Sequence, residues 1–310
     1  MSRVFCIGEN IIDYIPNGDV LLPMPGGAPC NVCAGVASLG GDAFYLGNIS
    51  TDENGVLMAD ALKNAGVSLT YATVDKHKKT AYSVVSLIDG ERKFEFFRKD
   101  TADLNFDGHT LDDVRFQSGD VLHFCSVCLA DGKIKHAHKK AIDLARQARA
   151  IVSFDVNLRP SLWNDFDAMM SAVLEFLPYA DVLKLSSEEA VDLCNFCKRA
   201  VCAEEIFNIC KNLKILLITK GKDGVVAYDR QGKSEVCPAY NDNPVDTTGA
   251  GDCFVASILY LLPAGKAELT VDGLKYALEF ASRACAVEVS KKGAINAMPT
   301  LNDVLNFGKH

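Results

Sequence analysis

The chain has 310 residues, 49% of them hydrophobic and 23% charged, with a net charge of −8 and a sequence pI near 5.3. That is the make-up of an ordinary soluble globular protein, long enough for one large α/β domain or two smaller ones. The acidic balance argues against a broad nucleic-acid surface, so the basic stretch KHKK (76–79) reads as a solvated face. No apolar run approaches the roughly 20 residues of a membrane span, and MSRVFCIGEN lacks the apolar core of a signal peptide; a cytoplasmic location is expected.

In chain order, VFCIG (4–8) reads as a first buried strand. MPGGAPCNVCAGVASLGG (24–41) places Gly26 and Gly27 ahead of a helix that carries Asn31. Paired glycines let a ligand lie on the backbone and Asn offers both donor and acceptor, although a tight turn before a capped helix would look the same. DAFYLGNIS (42–50) reads as a strand and 54–65 as an amphipathic helix. TAYSVVSLIDGERKFEFFR (80–98) holds two extended runs around Asp89-Gly90, a strong hairpin signal, and with the segment after Asp13 it can form a small projecting sheet. Strand-like and helix-like segments then alternate: strands at 120–126, 150–157, 181–186, 215–221 and 224–229, with helices at 133–148, 165–177 and 187–195 among them. That order predicts a doubly wound, mostly parallel sheet with helices on both faces.

Last comes DTTGAGDCF (246–254), where Gly249-Ala250-Gly251 precede Asp252 and an apolar helical run. The first amides of a helix point outward unpaired and favour an anion. A carboxylate set beside them repels that anion unless the two act together, as they do in phosphoryl transfer. Other nucleotide signatures are missing. GKS at 232–234 would need a glycine at position 227, which is Ala227, and neither the protein-kinase H-R-D and D-F-G set nor a Rossmann G-x-G-x-x-G is found. The C-x-x-C spacings at Cys30/Cys33, Cys125/Cys128 and Cys194/Cys197 lie among Ala, Val, Leu and Phe and read as buried structural thiols.

Together GGAPCNVCAGVASLGG and DTTGAGDCF, with FDVNLRPSLW (154–163) and KKGAI (291–295), resemble the signatures of the ribokinase-like, or pfkB-type, carbohydrate kinases. The resemblance runs from Gly8 to about Pro299 and, through GENIIDYIP, PGGAPCNV and KLSSEE, is greatest to fructokinases. It implies a single ribokinase-like domain over 1–310 with a discontinuous β lid, formed by about 10–30 and 78–105, that closes over the sugar and makes a homodimer. It further implies ATP-dependent phosphorylation of a small-molecule sugar, D-fructose to fructose 6-phosphate first, with 2-keto-3-deoxygluconate kinase, ribokinase or an idle sugar-binding protein as alternatives.

Site residues follow from the same resemblance. Asp252 is the catalytic base beside the Gly249-Ala250-Gly251 anion hole. Asp13, Gly26, Gly27, Asn31, Phe96, Arg98 and Arg159 face the sugar, with an ordinary surface salt bridge as the alternative for each arginine. Phe96 stands where ketodeoxygluconate kinases tend to have Tyr, which favours a neutral sugar. Ser186, Glu189, Thr219, Gly221, Gly224 and Ser282 serve ATP, Glu189 also organising Mg²⁺ through water. Asp246, Thr248, Lys291 and Gly293 match a monovalent-cation loop for K⁺, Lys291 through its carbonyl alone. Ser186 and Ser282 depart from the asparagines usual in the family.

Overall fold

The structure, a computed structural model, describes residues 3–88, 91–163, 165–240, 243–262 and 268–308. Short runs rich in β-branched and aromatic residues form β1 (Val4–Ile7) and β2 (Ile11–Asn17). β3 (Val20–Gly26), VLLPMPG, pairs with β2 at the edge of its sheet, where its prolines are tolerated, the two joined through Gly18 in the left-handed region. α1 (Ala28–Ser38) follows, with Pro29 in its first turn, where a missing amide proton costs nothing. Next come β4 (Ala43–Leu46), β5 (Asn48–Ser50), α2 (Glu53–Asn64), β6 (Thr73–Asp75), β7 (Ala81–Ile88) and β8 (Glu91–Phe97). The Asp52 side chain caps α2 by accepting from the Gly55 amide at 2.8 Å. The remaining elements are β9 (Val121–Cys125), α3 (Lys133–Gln147), β10 (Ile151–Asp155), α4 (Phe166–Phe176), β11 (Val182–Ser186) and α5 (Ser187–Phe196). They continue through α6 (Ala203–Ile209), β12 (Ile215–Thr219), β13 (Val225–Asp229), β14 (Ser234–Cys237), α7 (Ala250–Leu261), α8 (Val271–Glu288) and α9 (Leu301–Asn306).

Eight strands form one sheet in the order β14-β13-β12-β11-β10-β9-β1-β4. It is parallel from β4 to β12 and antiparallel at the β12-β13-β14 edge. Alternating side chains feed two cores: Val4 and Cys6 of β1 join α1, α7 and α8 on one face, and Phe5 and Ile7 join α3, α4 and α5 on the other. Burial on both faces is why these strands read as continuous apolar runs. Phe124 of β9 stacks on Phe154 of β10 with centroids 4.5 Å apart, both fully buried, and truncating either to Ala would cost about 3–5 kcal/mol.

A separate four-stranded sheet, ordered β3-β2-β7-β8, accounts for the projecting segments expected from the sequence. β7 and β8 pair antiparallel from Tyr82↔Phe97 to Ile88↔Glu91, while the Asp89-Gly90 turn itself lies outside the described residues. The 42–50 segment departs from the single strand expected. It breaks at Gly47, after which β5 leaves the large sheet and pairs with β6. The sequence pattern also leaves α8 hidden, because alanines (Ala277, Ala281, Ala284, Ala286) with Ser282 and Glu288 dilute its buried face, which so contrasts weakly with its exposed side. All twelve cysteines are free thiols and nine are buried, among them five of the six in C-x-x-C spacings. Among the described residues no helix is long and apolar enough to cross a membrane.

Candidate active site

A cleft of about 910 Å³ opens at the carboxyl ends of β10 and β11, between the N-termini of α1 and α7 and beneath β2 and β8 of the small sheet. Open α/β sheets bind ligands at this edge, because strand ends and helix N-termini converge there. Asp13, Asn31, Phe96, Arg159, Glu189 and Asp252 all line it, although they lie as far as 239 positions apart in the chain (13 to 252).

α7 begins behind Gly249, whose φ of 90° is left-handed. A methyl group there would also sit 2.9 Å from the Ala294 Cβ and 3.0 Å from a Glu288 carboxyl oxygen, so only glycine fits. Gly249 and Gly251 line the cleft, whereas Ala250 does not: its amide donates to the Thr247 carbonyl at 3.3 Å. Burial pushes the Glu288 carboxyl up to about 9, so at neutral pH it adds no negative charge beneath this turn. Asp252, in the first turn, accepts a 2.7 Å hydrogen bond from the Asn31 side-chain amide. Its pKa is raised, chiefly by burial, against the opposing pulls of Asn31, Lys184 and Arg159. Desolvation therefore outweighs the helix N-terminus and makes Asp252 a stronger base than an exposed aspartate.

The sugar side is built on α1 and the small sheet. Gly27, with φ 103°, caps α1 and packs so tightly on the Glu9 carbonyl that a methyl group would lie 2.7 Å from that oxygen. The Asn31 carbonyl oxygen is buried without a partner among the described residues, leaving an acceptor beside Asp252. Asp13, Ser83 and Phe96 share one rung across β2, β7 and β8, and the Ser83 hydroxyl donates to Asp13. Burial raises the Asp13 carboxyl, with Ser83 and Arg159 opposing. Gly26 lies behind Asp13 rather than on the cleft surface.

Lys184 is the residue the sequence reading missed. It stands on β11 directly across from Asp155 on β10, its Nζ 3.1 and 3.2 Å from the two carboxylate oxygens. A methyl group on Gly251 would come within 3.3 Å of that Nζ, so the ammonium stands at the mouth of α7. Burial opposes the charge on Lys184, yet Asp155, Glu189 and Asp252 raise its pKa. Asp155 is itself raised, by burial, which runs against a simple ion pair. We take the pair as ionised, because deprotonating Lys184 would leave three neighbouring carboxylates uncompensated. A lone Lys in the apolar run VLKLS and a lone Asp in IVSFD, strands buried on both faces, are the signals that mark the pair in sequence.

Ser186 and Glu189 prove to be a capping box on α5 as well as cleft residues. The Ser186 hydroxyl accepts from the Glu189 amide at 3.1 Å, and the Glu189 carboxylate accepts from the amides of Ser186 and Leu158, both at 2.7 Å. Each carboxylate oxygen keeps a second lone pair, which fits contact with a hydrated cation.

Other expected residues lie elsewhere. Arg98 does not reach the cleft; it is buried behind Val127 and Cys128, donating to Asp103 at 2.8 Å, to the Val127 carbonyl at 3.0 Å and to the Cys128 sulfur at 2.9 Å. The carboxylate of Asp103, fully buried, fixes the guanidinium there in an interior ion pair, which is neither a cleft contact nor the surface salt bridge given as the alternative. Arg159 does line the cleft. Thr219 pairs with Ser186 at the end of β12, and the Gly221–Gly224 turn follows, all outside the cleft surface. Ser282 donates to the Pro238 carbonyl at 2.9 Å and is likewise outside it. Asp246 ties its loop together, accepting from the Thr248 amide (3.0 Å) and hydroxyl (2.7 Å) and from the Gly293 amide (3.2 Å), while the Lys291 side chain is exposed.

A glycine-led helix terminus with a buried aspartate, a buried lysine and a separate sheet overhead makes a cleft suited to phosphoryl transfer. Comparison narrows the class. Residues 1–301 match the pfkB family carbohydrate kinase profile. Over 304 residues the chain is 36% identical to fructokinase from Escherichia coli, covering 96% of each. Its fold matches that of a fructokinase from Xylella fastidiosa solved with bound ATP, with a TM-score of 0.90 at 31% identity over 99% of this chain and 98% of that one. It also matches a fructokinase double mutant from Vibrio cholerae O395 in fructose, ADP and potassium ion bound form, with a TM-score of 0.89 at 30% identity over 99% and 98%. The chain belongs to the pfkB family of carbohydrate kinases.

Proposed function

We propose that this carbohydrate kinase transfers the γ-phosphoryl group of ATP to D-fructose, giving fructose 6-phosphate. The observation that carries the reading is Asp252, raised in basicity and held by Asn31 at the anion-binding end of α7. Asp252 takes the proton of the sugar hydroxyl as that oxygen bonds to phosphorus and the bridging P–O bond to ADP breaks. The amides of Gly249 and Gly251 and the Lys184 ammonium hold the charge that builds on the phosphoryl oxygens. Mg²⁺ supplies neutralisation of the ATP phosphates, with Glu189 as the residue to hold its water; Asp246, Thr248, Lys291 and Gly293 form the loop for K⁺. Thr219, Gly221, Gly224 and Ser282 extend the site from Ser186 toward the adenosine.

Fructose is favoured over ketodeoxygluconate by Arg98. Its guanidinium is spent on Asp103, which leaves Arg159 as the arginine facing the cleft among the described residues, with no second one there to clamp a carboxylate. The small sheet serves as the lid that excludes water from the transfer. Val20, Leu21, Leu22 and Phe97, exposed on it, support a homodimer through that lid. Twelve unpaired thiols support a cytoplasmic location. The test is ADP release across fructose, ketodeoxygluconate and ribose. Fructose is expected to give the highest kcat/KM; ketodeoxygluconate ahead by about tenfold would make Arg159 a carboxylate anchor, and no ADP release with any of the sugars would leave only a binding protein.

A further inference from the structure

The rung Cys125–Asp155–Lys184 crosses β9, β10 and β11 just below the catalytic helix. Asp155 is 1% exposed, and both its oxygens lie within 3.2 Å of the Lys184 Nζ. Nothing else among the described residues competes for that carboxylate: its Oδ1 has no further hydrogen-bond partner. The lysine, in contrast, is shared, standing against Gly251 and within the fields of Glu189 and Asp252. A flexible four-carbon stem with a compact charge can point toward any of three carboxylates, and at Asp252 it would quench the base. Two adjacent parallel strands place Asp155 where it prevents that.

We propose that Asp155 is a positioning residue for phosphoryl transfer: it anchors the Lys184 ammonium at the mouth of α7, off Asp252 and ready for the transferring phosphoryl group. The inference rests on the kinase reading above. Asp155 touches neither substrate in this scheme and acts through the lysine alone. Charge fixed before the reaction needs no reorganisation during it, which is where such a group gains its effect.

A double-mutant cycle with Lys184→Met and Asp155→Asn tests this, with fructose and ATP kinetics and melting curves on all four proteins. Wild-type turnover is measured first, since its absence on every sugar would overturn the kinase reading rather than this inference. Lys184→Met should lower kcat on the order of 10²–10³-fold, as loss of an oxyanion donor does. Asp155→Asn should lower it about 10–100-fold, the usual range for an outer partner, with fructose KM nearly unchanged. The double variant should be no slower than Lys184→Met alone, and it should melt higher, because Lys184→Met strands a buried carboxylate that the second change removes. A double variant slower by the product of the two single effects overturns the proposal, since Asp155 would then act independently of the lysine. Should Asp155→Asn alone not fold, Lys184→Met is compared with the double variant, a neutral pair: equal kcat upholds the proposal, and a double variant slower than Lys184→Met by about tenfold or more overturns it.

Discussion

α1 and α7 begin alike and end in different employment. Each follows a glycine in the left-handed region, Gly27 at φ 103° and Gly249 at φ 90°, and each carries a polar residue in its opening turns that meets the other, Asn31 to Asp252. At α1 the positive end of the helix is already answered: the Glu9 carboxylate accepts from the Ala28 amide at 3.2 Å. At α7 no carboxylate among the described residues accepts from the opening amides: Asp252 in the first turn is held by the Asn31 side-chain amide, burial raises Glu288 below to about 9, and Lys184 adds positive charge. A helix terminus supplied with a resident anion is architecture, and one whose opening amides are left without one suits the proposed role of receiving a substrate's phosphate.

The largest expected effect falls on the α7 side. Asp252→Asn keeps the shape and the amides but cannot accept a proton, so kcat should drop about 10²–10⁴-fold while the KM for ATP stays within a few-fold. Because the folded-state pKa of Asp252 is raised, its favourable contribution is present below the unfolded pKa and is lost as pH rises through the folded value. At neutral pH the variant should therefore melt at the same temperature as the parent or higher. A variant with near-normal kcat and an intact melting curve would remove Asp252 from the chemistry.

Asn31→Ala cuts the link between the two helices. A hydrogen bond to a charged group is worth about 1.5–3 kcal/mol, which sets a loss of roughly 10–100-fold in kcat/KM. Asn31 also pulls the Asp252 pKa down, so without it the acid limb of kcat, where the base becomes protonated as pH falls, should move to higher pH. A profile that does not move would mean the bond survives only in the empty site.

Smaller effects follow. Replacing K⁺ by a large organic cation at constant ionic strength should slow turnover severalfold if the Asp246–Thr248 loop needs an ion to order the amides that follow it; equal rates would make the loop structural. Glu9→Gln should be the mildest change, shifting stability by no more than about 1 kcal/mol, because the loss of a helix-terminus charge is offset by relief of the burial that raises Glu9. A fall in kcat as deep as that of Asp252→Asn would break the contrast between the helices.

The sequence by itself determined the alternating α/β order, the two glycine-led helices and Asp252, because turns, amphipathic periods and helix termini are local and leave local marks. It also held marks that a pattern search passes over. The capping box at Ser186 and Glu189 has the same spacing as the nucleotide motif expected there, and only the hydrogen bonds separate the two duties. Tertiary structure alone decided that Arg98 turns inward to Asp103, that Ala250 turns its amide to Thr247, and that Asp155 and Lys184 face one another across a strand boundary. Lys184 is placed by a partner 29 positions away and Arg98 by which side of its strand end it leaves, and neither is written in the residues beside them.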